Sequence, residues 1–308
     1  MKETVIDSHI RVIVLIITYN HEMYIAQAIE SVLMQETNFG YEIVIGDDCS
    51  TDRTREILIE YQKKYPDSIR LLLHKINLGA NANYRKAYAE CNSEYLAYLE
   101  GDDFWIDRKK LQKQFEFMEN NKDFSMCFTG AKRIDENGSV IHANMVPERY
   151  RKNLTQREII DGYIPPGLTA FARRYPLMLP DCSLRLINQD FFETVMITEY
   201  GDAGYLPEIT SCSRMHSGGI WAMKDEEYYA VHGLELSEAL LECFGYKYKD
   251  MLLSKVRWRY DFLIRLYLRR NQFVKLIFLY LRLSISMIRY ELTDCISTGC
   301  KEIASFHK

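Results

Sequence analysis

Six consecutive apolar residues, Val12 to Ile17, run without interruption into the polar break Thr18-Tyr19-Asn20-His21. All but Leu15 are β-branched, so the segment favours an extended backbone and offers no polar side to water. Such a strand is stable only when both of its faces are covered, as a central strand is in a parallel sheet flanked by helices. The residues that follow can cover it. Ile25, Ala28, Ile29, Val32 and Leu33 recur at helical spacing and form one apolar stripe. The unit then repeats: a strand over Glu42 to Gly46, a helix over Asp52 to Tyr65 with Ser50 or Thr51 as N-cap, and a strand over Ile69 to Leu73. A helix over Asn81 to Cys91 and a strand over Tyr95 to Leu99 continue it. This alternation predicts an α/β fold built on a doubly wound, mostly parallel sheet.

After Asp103 the rhythm changes. A helix is expected over Lys109 to Asn120, a strand over Ser125 to Ala131, a turn at Asn137-Gly138, a strand over Thr169 to Arg173 and a helix over Asp190 to Glu199. From about Tyr246 the chain becomes basic. Between Lys255 and Arg289 nine lysines and arginines face the single acid Asp261, a local charge of +8. Leu252, Val256, Phe262, Leu263, Leu266 and Leu268 are mixed among them, which predicts a C-terminal appendage of basic amphipathic helices. Such helices suit either an anionic membrane surface or burial against the catalytic domain or a second copy of the chain.

Composition removes several function classes. The net charge of −4 does not suit a uniformly basic nucleic-acid binder. Eight cysteines without a C-x-x-C pair signal neither a zinc site nor a disulfide framework, and read as free thiols of a reducing compartment. The apolar run at Val12 is too short for a signal sequence or a membrane span. The expected location is therefore cytoplasmic, at most peripheral on the inner face of the plasma membrane.

In open parallel sheets the ligand crevice lies beyond the carboxyl ends of the strands. Here Thr18-Tyr19-Asn20, Asp47-Asp48-Cys49-Ser50 and Glu100-Gly101-Asp102-Asp103 occupy those positions. Adjacent carboxylates repel and resist desolvation, so they need a cation or hydrogen-bond donors. A bound Mg²⁺ or Mn²⁺ on hard oxygen ligands meets that need, and so does simple capping of the helices that follow.

Taken together, VIVLIITYNHEMYIAQAIESVLMQ, EIVIGDDCSTDRTREIL, NLGANANYRKAYAECNSEYLAYLEGDD and FWIDRKKLQKQ resemble the nucleotide-sugar-binding half of family-2 glycosyltransferases with the GT-A fold. The resemblance is continuous over roughly residues 10–120 and returns in pieces to about residue 222. It implies a GT-A catalytic domain over 1–245, with a nucleotide-sugar half at 10–105 and an acceptor half at 106–245, followed by the helical extension 246–308. It also implies an inverting transfer of a sugar from a nucleotide-sugar donor, with UDP as nucleotide, to a glycan or lipid-linked acceptor.

By the same resemblance Thr18, Tyr19, Asn20 and Asp48 line the nucleoside pocket, and Asn77 and Gly79 form a loop passing near it. Glu100-Gly101-Asp102 stands in place of the D-x-D signature, with glutamate at its first position, and Glu100 belongs to the donor site. Asp102 is then a metal ligand for Mg²⁺ or Mn²⁺, with Asp103 beside it as second metal ligand or ribose contact. NQDFF points to Asp190 as general base, and SRMHSGGIW brings Arg214 and His216 to the diphosphate, with His216 a further metal ligand. Each residue also has a plainer role open to it: Asp190 as a first-turn helix carboxylate, His216 as a loop histidine, Trp105 and Trp221 as packing residues. His21 is left outside the site. Two rival functions stand beside this reading, a nucleotidyltransferase and an inactive scaffold. The first lacks a glycine-rich phosphate loop here, since that position reads TYNHEMY.

Overall fold

The computed structural model describes residues 7–177, 179–219 and 224–286. Trp221 and Arg289 lie outside them. The chain divides into two compact units, residues 1–223 and 224–308.

In the first unit β1 (Asp7–Thr18), α1 (Ile25–Leu33), β2 (Phe39–Asp47), α2 (Thr54–Lys64), β3 (Ile69–Leu73), α3 (Ala80–Ala89) and β4 (Tyr95–Glu100) follow the predicted alternation. Next come β5 (Phe104–Trp105), α4 (Lys110–Asn120), β6 (Phe124–Asp135), β7 (Val140–His142), α5 (Gln156–Ile160), β8 (Phe171–Arg173), α6 (Gln189–Ile197) and β9 (Asp202–Met215). All the strands share one sheet of order β3-β2-β1-β4-β8-β6-β9-β5, with β7 on β6. The half from β3 to β4 is parallel. Beyond it β8 pairs antiparallel with both β4 and β6, and β6 runs parallel to β9.

Strand β1 is covered on both sides, as its composition demands. Val12, Val14 and Ile16 join Ile25, Ala28, Ile29 and Val32 of α1 and Leu111 of α4 in the larger core. Ile13 and Leu15 join Val44, Leu96 and Ala87 of α3 in the smaller one. At about 1.5–3 kcal/mol for each fully buried aliphatic side chain, β1 alone anchors the sheet order. Trp105 is a packing residue: it is 1% exposed, its indole N–H donates to the Leu168 carbonyl, and the Lys110 ammonium lies 4.4 Å from its ring centre. Burial pushes the Lys110 pKa down to about 7.

Two local expectations are corrected. Neither Ser50 nor Thr51 caps α2; the Asp52 carboxylate accepts the Thr54 N–H at 2.9 Å, while Ser50 Oγ accepts from Asn20. The 14-residue β9 and the two-residue β5 are absent from the sequence reading.

The second unit is helical. Helix α7 (Glu226–Arg269) turns at Tyr248, which leaves helical geometry at φ −132° and ψ 31°. The expected boundary between residues 245 and 246 falls inside this helix. The two limbs lie antiparallel: Arg270, after the second, reaches Asp225 and Glu227 at the start of the first, at 3.2 and 3.1 Å. A further helix, α8, spans residues 273–286 and returns along the first limb, with Lys275 on Glu227 and Arg282 on Glu238. Much of the +8 stretch is thus answered within the unit, because the compensating acids lie at 225–238, outside the sequence window that was counted. No helix among the described residues is long and apolar enough to cross a membrane.

Glu238 gathers three partners, accepting from the Tyr260 hydroxyl, Ser286 Oγ and the Arg282 guanidinium. Glu238→Ala should therefore destabilise the helical unit by about 1–3 kcal/mol. Arg265→Ala removes only a solvent-exposed pair with Asp261 and should change it by less than about 0.5 kcal/mol. Thermal unfolding followed by far-ultraviolet circular dichroism separates the two.

Candidate active site

The register of the sheet decides which loops meet. Thr18 ends β1 opposite Asp47 of β2, and Ile17 lies opposite Glu100 of β4. The three polar breaks therefore leave the sheet side by side at one edge, and the end of β9 adds Arg214 and His216.

The nucleoside-side residues mostly hold one another. Asn20, at φ 55°, accepts the Thr51 N–H on its side-chain oxygen at 2.8 Å and donates its own N–H to Ser50 Oγ, tying the first loop to the second. Thr18 is buried, its carbonyl accepting the Asp48 N–H. Tyr19 presents an exposed ring. Asp47 is neutralised by the Arg55 guanidinium. Asp48, expected to meet the base or ribose, is 2% exposed and spends both oxygens on the next loop, accepting the Leu78 N–H at 2.7 Å and the Gly79 N–H at 2.9 Å. In this structure it positions the Asn77-Leu78-Gly79 loop. Asn77 Oδ1 also accepts the Gly79 N–H, and Gly79 takes φ 84°, a left-handed conformation that suits glycine, just before α3.

The acidic break is arranged differently. Asp102 Oδ2 lies 2.9 Å from His216 Nε2 and 3.7 Å from His21 Nε2. These three side chains place one ligand atom each within 4.8 Å of the others, close enough for one cation to touch all three. Asp103, expected beside Asp102 as second ligand, is turned away: its Oδ1 accepts the Arg214 N–H at 2.7 Å. Burial, with Glu100 and Asp102 adding to it, holds its carboxyl well above the usual range. Arg214 is fixed along the wall, donating to the Asp102 carbonyl and to Gln27 Oε1 and lying 4.8 Å from the Tyr24 ring centre. The same ring sits 4.9 Å from that of His216.

Glu100 carries the least compensated charge. Its Oε2 is buried without a hydrogen-bond partner among the described residues. Burial, then the charges of Asp102 and Asp190, push its pKa up to about 7. Asp190 stands in the first turn of α6. Water reaches it, but the protein around it raises its carboxyl pKa by desolvation. Glu193, one turn on, is buried and accepts from Gln189.

A divalent cation fits these residues. Asp102 offers a carboxylate oxygen beside imidazole nitrogens, and Glu100 has a buried oxygen without a hydrogen-bond partner among the described residues. Sequence reasoning missed His21, because its approach to Asp102 depends on β1 and β4 being neighbours, which no local pattern reveals. It also missed Tyr24.

Residues 13–191 match the model of glycosyl transferase family 2. The chain belongs to this family, and its fold is the GT-A fold implied by the motifs. A protein of Mycobacterium tuberculosis is 30% identical over 247 residues, 78% of this chain and 71% of that one. The putative teichuronic acid biosynthesis glycosyltransferase TuaG of Bacillus subtilis is 39% identical over 122 residues, 40% of this chain and 47% of its own length. Among solved structures, S. aureus TarS in complex with UDP-GlcNAc is similar at a TM-score of 0.55 and 19% identity, covering 75% of this chain and 67% of that one. A mannosyltransferase from Pyrobaculum calidifontis, in complex with GDP-Man and Mn²⁺, is similar at a TM-score of 0.58 and 15% identity, covering 81% and 70%.

If Asp48 acts by holding the loop, Asp48→Ala leaves the Leu78 amide without its acceptor. Removing such an acceptor costs about 1–3 kcal/mol. Hydrogen exchange at Leu78 and Gly79 should accelerate roughly tenfold or more while amides within α2 keep their protection, as two-dimensional NMR would record.

Proposed function

We propose that the protein transfers a hexosyl-type sugar from a nucleoside diphosphate donor, with UDP as the nucleotide, to a hydroxyl of a glycan or lipid-linked acceptor, with inversion at the anomeric carbon. The observation that carries this reading is the convergence of Asp102 with His216 at the carboxyl ends of β1, β2 and β4, in a chain of this family. The UDP-GlcNAc complex of TarS supports uridine, and the name of TuaG supports an acceptor in surface polysaccharide synthesis.

Asp102 and His216 would hold Mg²⁺ or Mn²⁺. When bound, the cation neutralises negative charge that develops on the leaving diphosphate. The remaining work falls to the chain itself. Arg214, pinned by Asp103, Gln27 and Tyr24, keeps its guanidinium beside the same charge without reorganising. The Leu78-Gly79 loop, fastened by Asp48, lines the donor side together with Tyr19. As the acceptor oxygen attacks the anomeric carbon, its proton passes to an oxygen of Asp190, and the bond between that carbon and the diphosphate breaks with its electron pair on the phosphate oxygen.

Hydrolysis of UDP-, GDP- and dTDP-sugars by the full chain with Mn²⁺, compared with Asp102→Asn, tests the reading. Turnover of a UDP-sugar that disappears in the variant is the expected result, and equal turnover by both would sink it. For the base, Asp190→Asn should bind donor normally and transfer about 10²–10⁴-fold more slowly. A base works deprotonated, so the raised pKa of Asp190 has a definite sign: activity should fall on acidification from a higher pH than an ordinary carboxyl would dictate.

A further inference from the structure

We propose that His21 is a third ligand of the cation, making the centre a His-Asp-His site that selects Mn²⁺ or Co²⁺ over Mg²⁺. The inference rests on the metal-dependent reading above and goes beyond it in naming the ligand and the selectivity.

The His21 ring is held edge-on to the site. Its Nδ1 lies 3.2 Å from Thr18 Oγ1, and its Nε2 is the atom that faces Asp102 Oδ2 at 3.7 Å. A hydrogen bond at one imidazole nitrogen fixes the tautomer and orientation that present the other to a metal. Ligand–metal distances of about 2.0–2.2 Å place adjacent ligands roughly 3–4 Å apart. The separations of 2.9 Å from His216 and 3.7 Å from His21 to one oxygen of Asp102 fall on that scale. Both rings approach edge to face, at 86°, so neither blocks the other.

Gly101 gives an independent indication. A Cβ at this position would lie 2.7 Å from Thr18 Oγ1 and 2.9 Å from His21 Nδ1. The glycine between Glu100 and Asp102 therefore provides the space in which the Thr18–His21 pair stands. A side chain there would push away the two groups that aim Nε2 at Asp102. Two imidazoles and one carboxylate are a borderline donor set, unlike the oxygen and water ligands that Mg²⁺ prefers, so the site should discriminate against Mg²⁺.

The test uses the full chain, with Mn²⁺ alone and Mn²⁺ with UDP, followed by electron paramagnetic resonance. Pulsed measurements of the native protein should count two imidazole nitrogens on the metal. His21→Gln and His216→Gln should each leave one and weaken Mn²⁺ binding at least about tenfold. Gly101→Ala, which removes no ligand, should lower the count in the same way as His21→Gln. Competition should require a large excess of Mg²⁺ to displace Mn²⁺ from the native site. One imidazole in the native protein, lost in His216→Gln and untouched in His21→Gln, overturns the role of His21 while leaving the metal-dependent reading standing. Failure of the native chain to bind Mn²⁺ even with UDP overturns both.

Discussion

Every residue from Val12 to Ile16 is at most 2% exposed, so β1 cannot turn any side toward water and must lie between two helical layers. The site inherits its geometry from this. Slipping the register by one residue would exchange Val12, Val14 and Ile16 with Ile13 and Leu15, moving each set into the core shaped for the other. With the register fixed, Thr18 must end beside Asp47, and Ile17 beside Glu100. Hydrophobic burial thus sets the positions of polar groups that no polar interaction could have assembled at comparable strength.

The carboxylates crowded at that edge are stabilised by different means, and the difference assigns their work. Asp47 is neutralised by Arg55 and belongs to the scaffold. Asp48 is satisfied by two backbone N–H groups, which bind a loop in place. Asp103 fixes the chain at Arg214. Asp102 has only histidines, which supply positive charge only when protonated, and Glu100 has an oxygen with no partner among the described residues. Asp47 and Asp48 are complete without a ligand. On the proposed reading the chemistry falls to the side of Asp102.

The sequence displays the parallel half because its strands are apolar and its helices are amphipathic; Ile69 to Leu73 is read and found as the same strand. It conceals β9 for an opposite reason. The buried positions of β9 include Thr210 and Ser211, whose hydroxyls bond to Thr129 Oγ1 and the Leu168 carbonyl, while Glu208 faces out. Polar and apolar residues are buried side by side along this strand and its pairing with β6 shifts register, so there is no hydrophobic alternation to detect. The site shows the same division. Asp102 and His216, proposed from the motifs around them, lie 2.9 Å apart, whereas the approach of His21 depends on strand adjacency, and the turning of Asp103 toward Arg214 depends on where β9 ends.

Helix α8 carries apolar side chains on more than one side. Leu279 is buried, Phe273, Val274, Ile277, Phe278, Leu281 and Ile285 are well exposed, and Lys275 and Arg282 pair with Glu227 and Glu238. The same acids that compensate the basic stretch therefore also tie α8 to the first limb. Glu227 and Glu238 lie on one face of the first limb of α7, separated by three helical turns, and Lys275 and Arg282 are two turns apart on α8. The acids stand one turn further apart than the cations, so the flexible lysine and arginine side chains bridge the difference and hold α8 to the limb at two points.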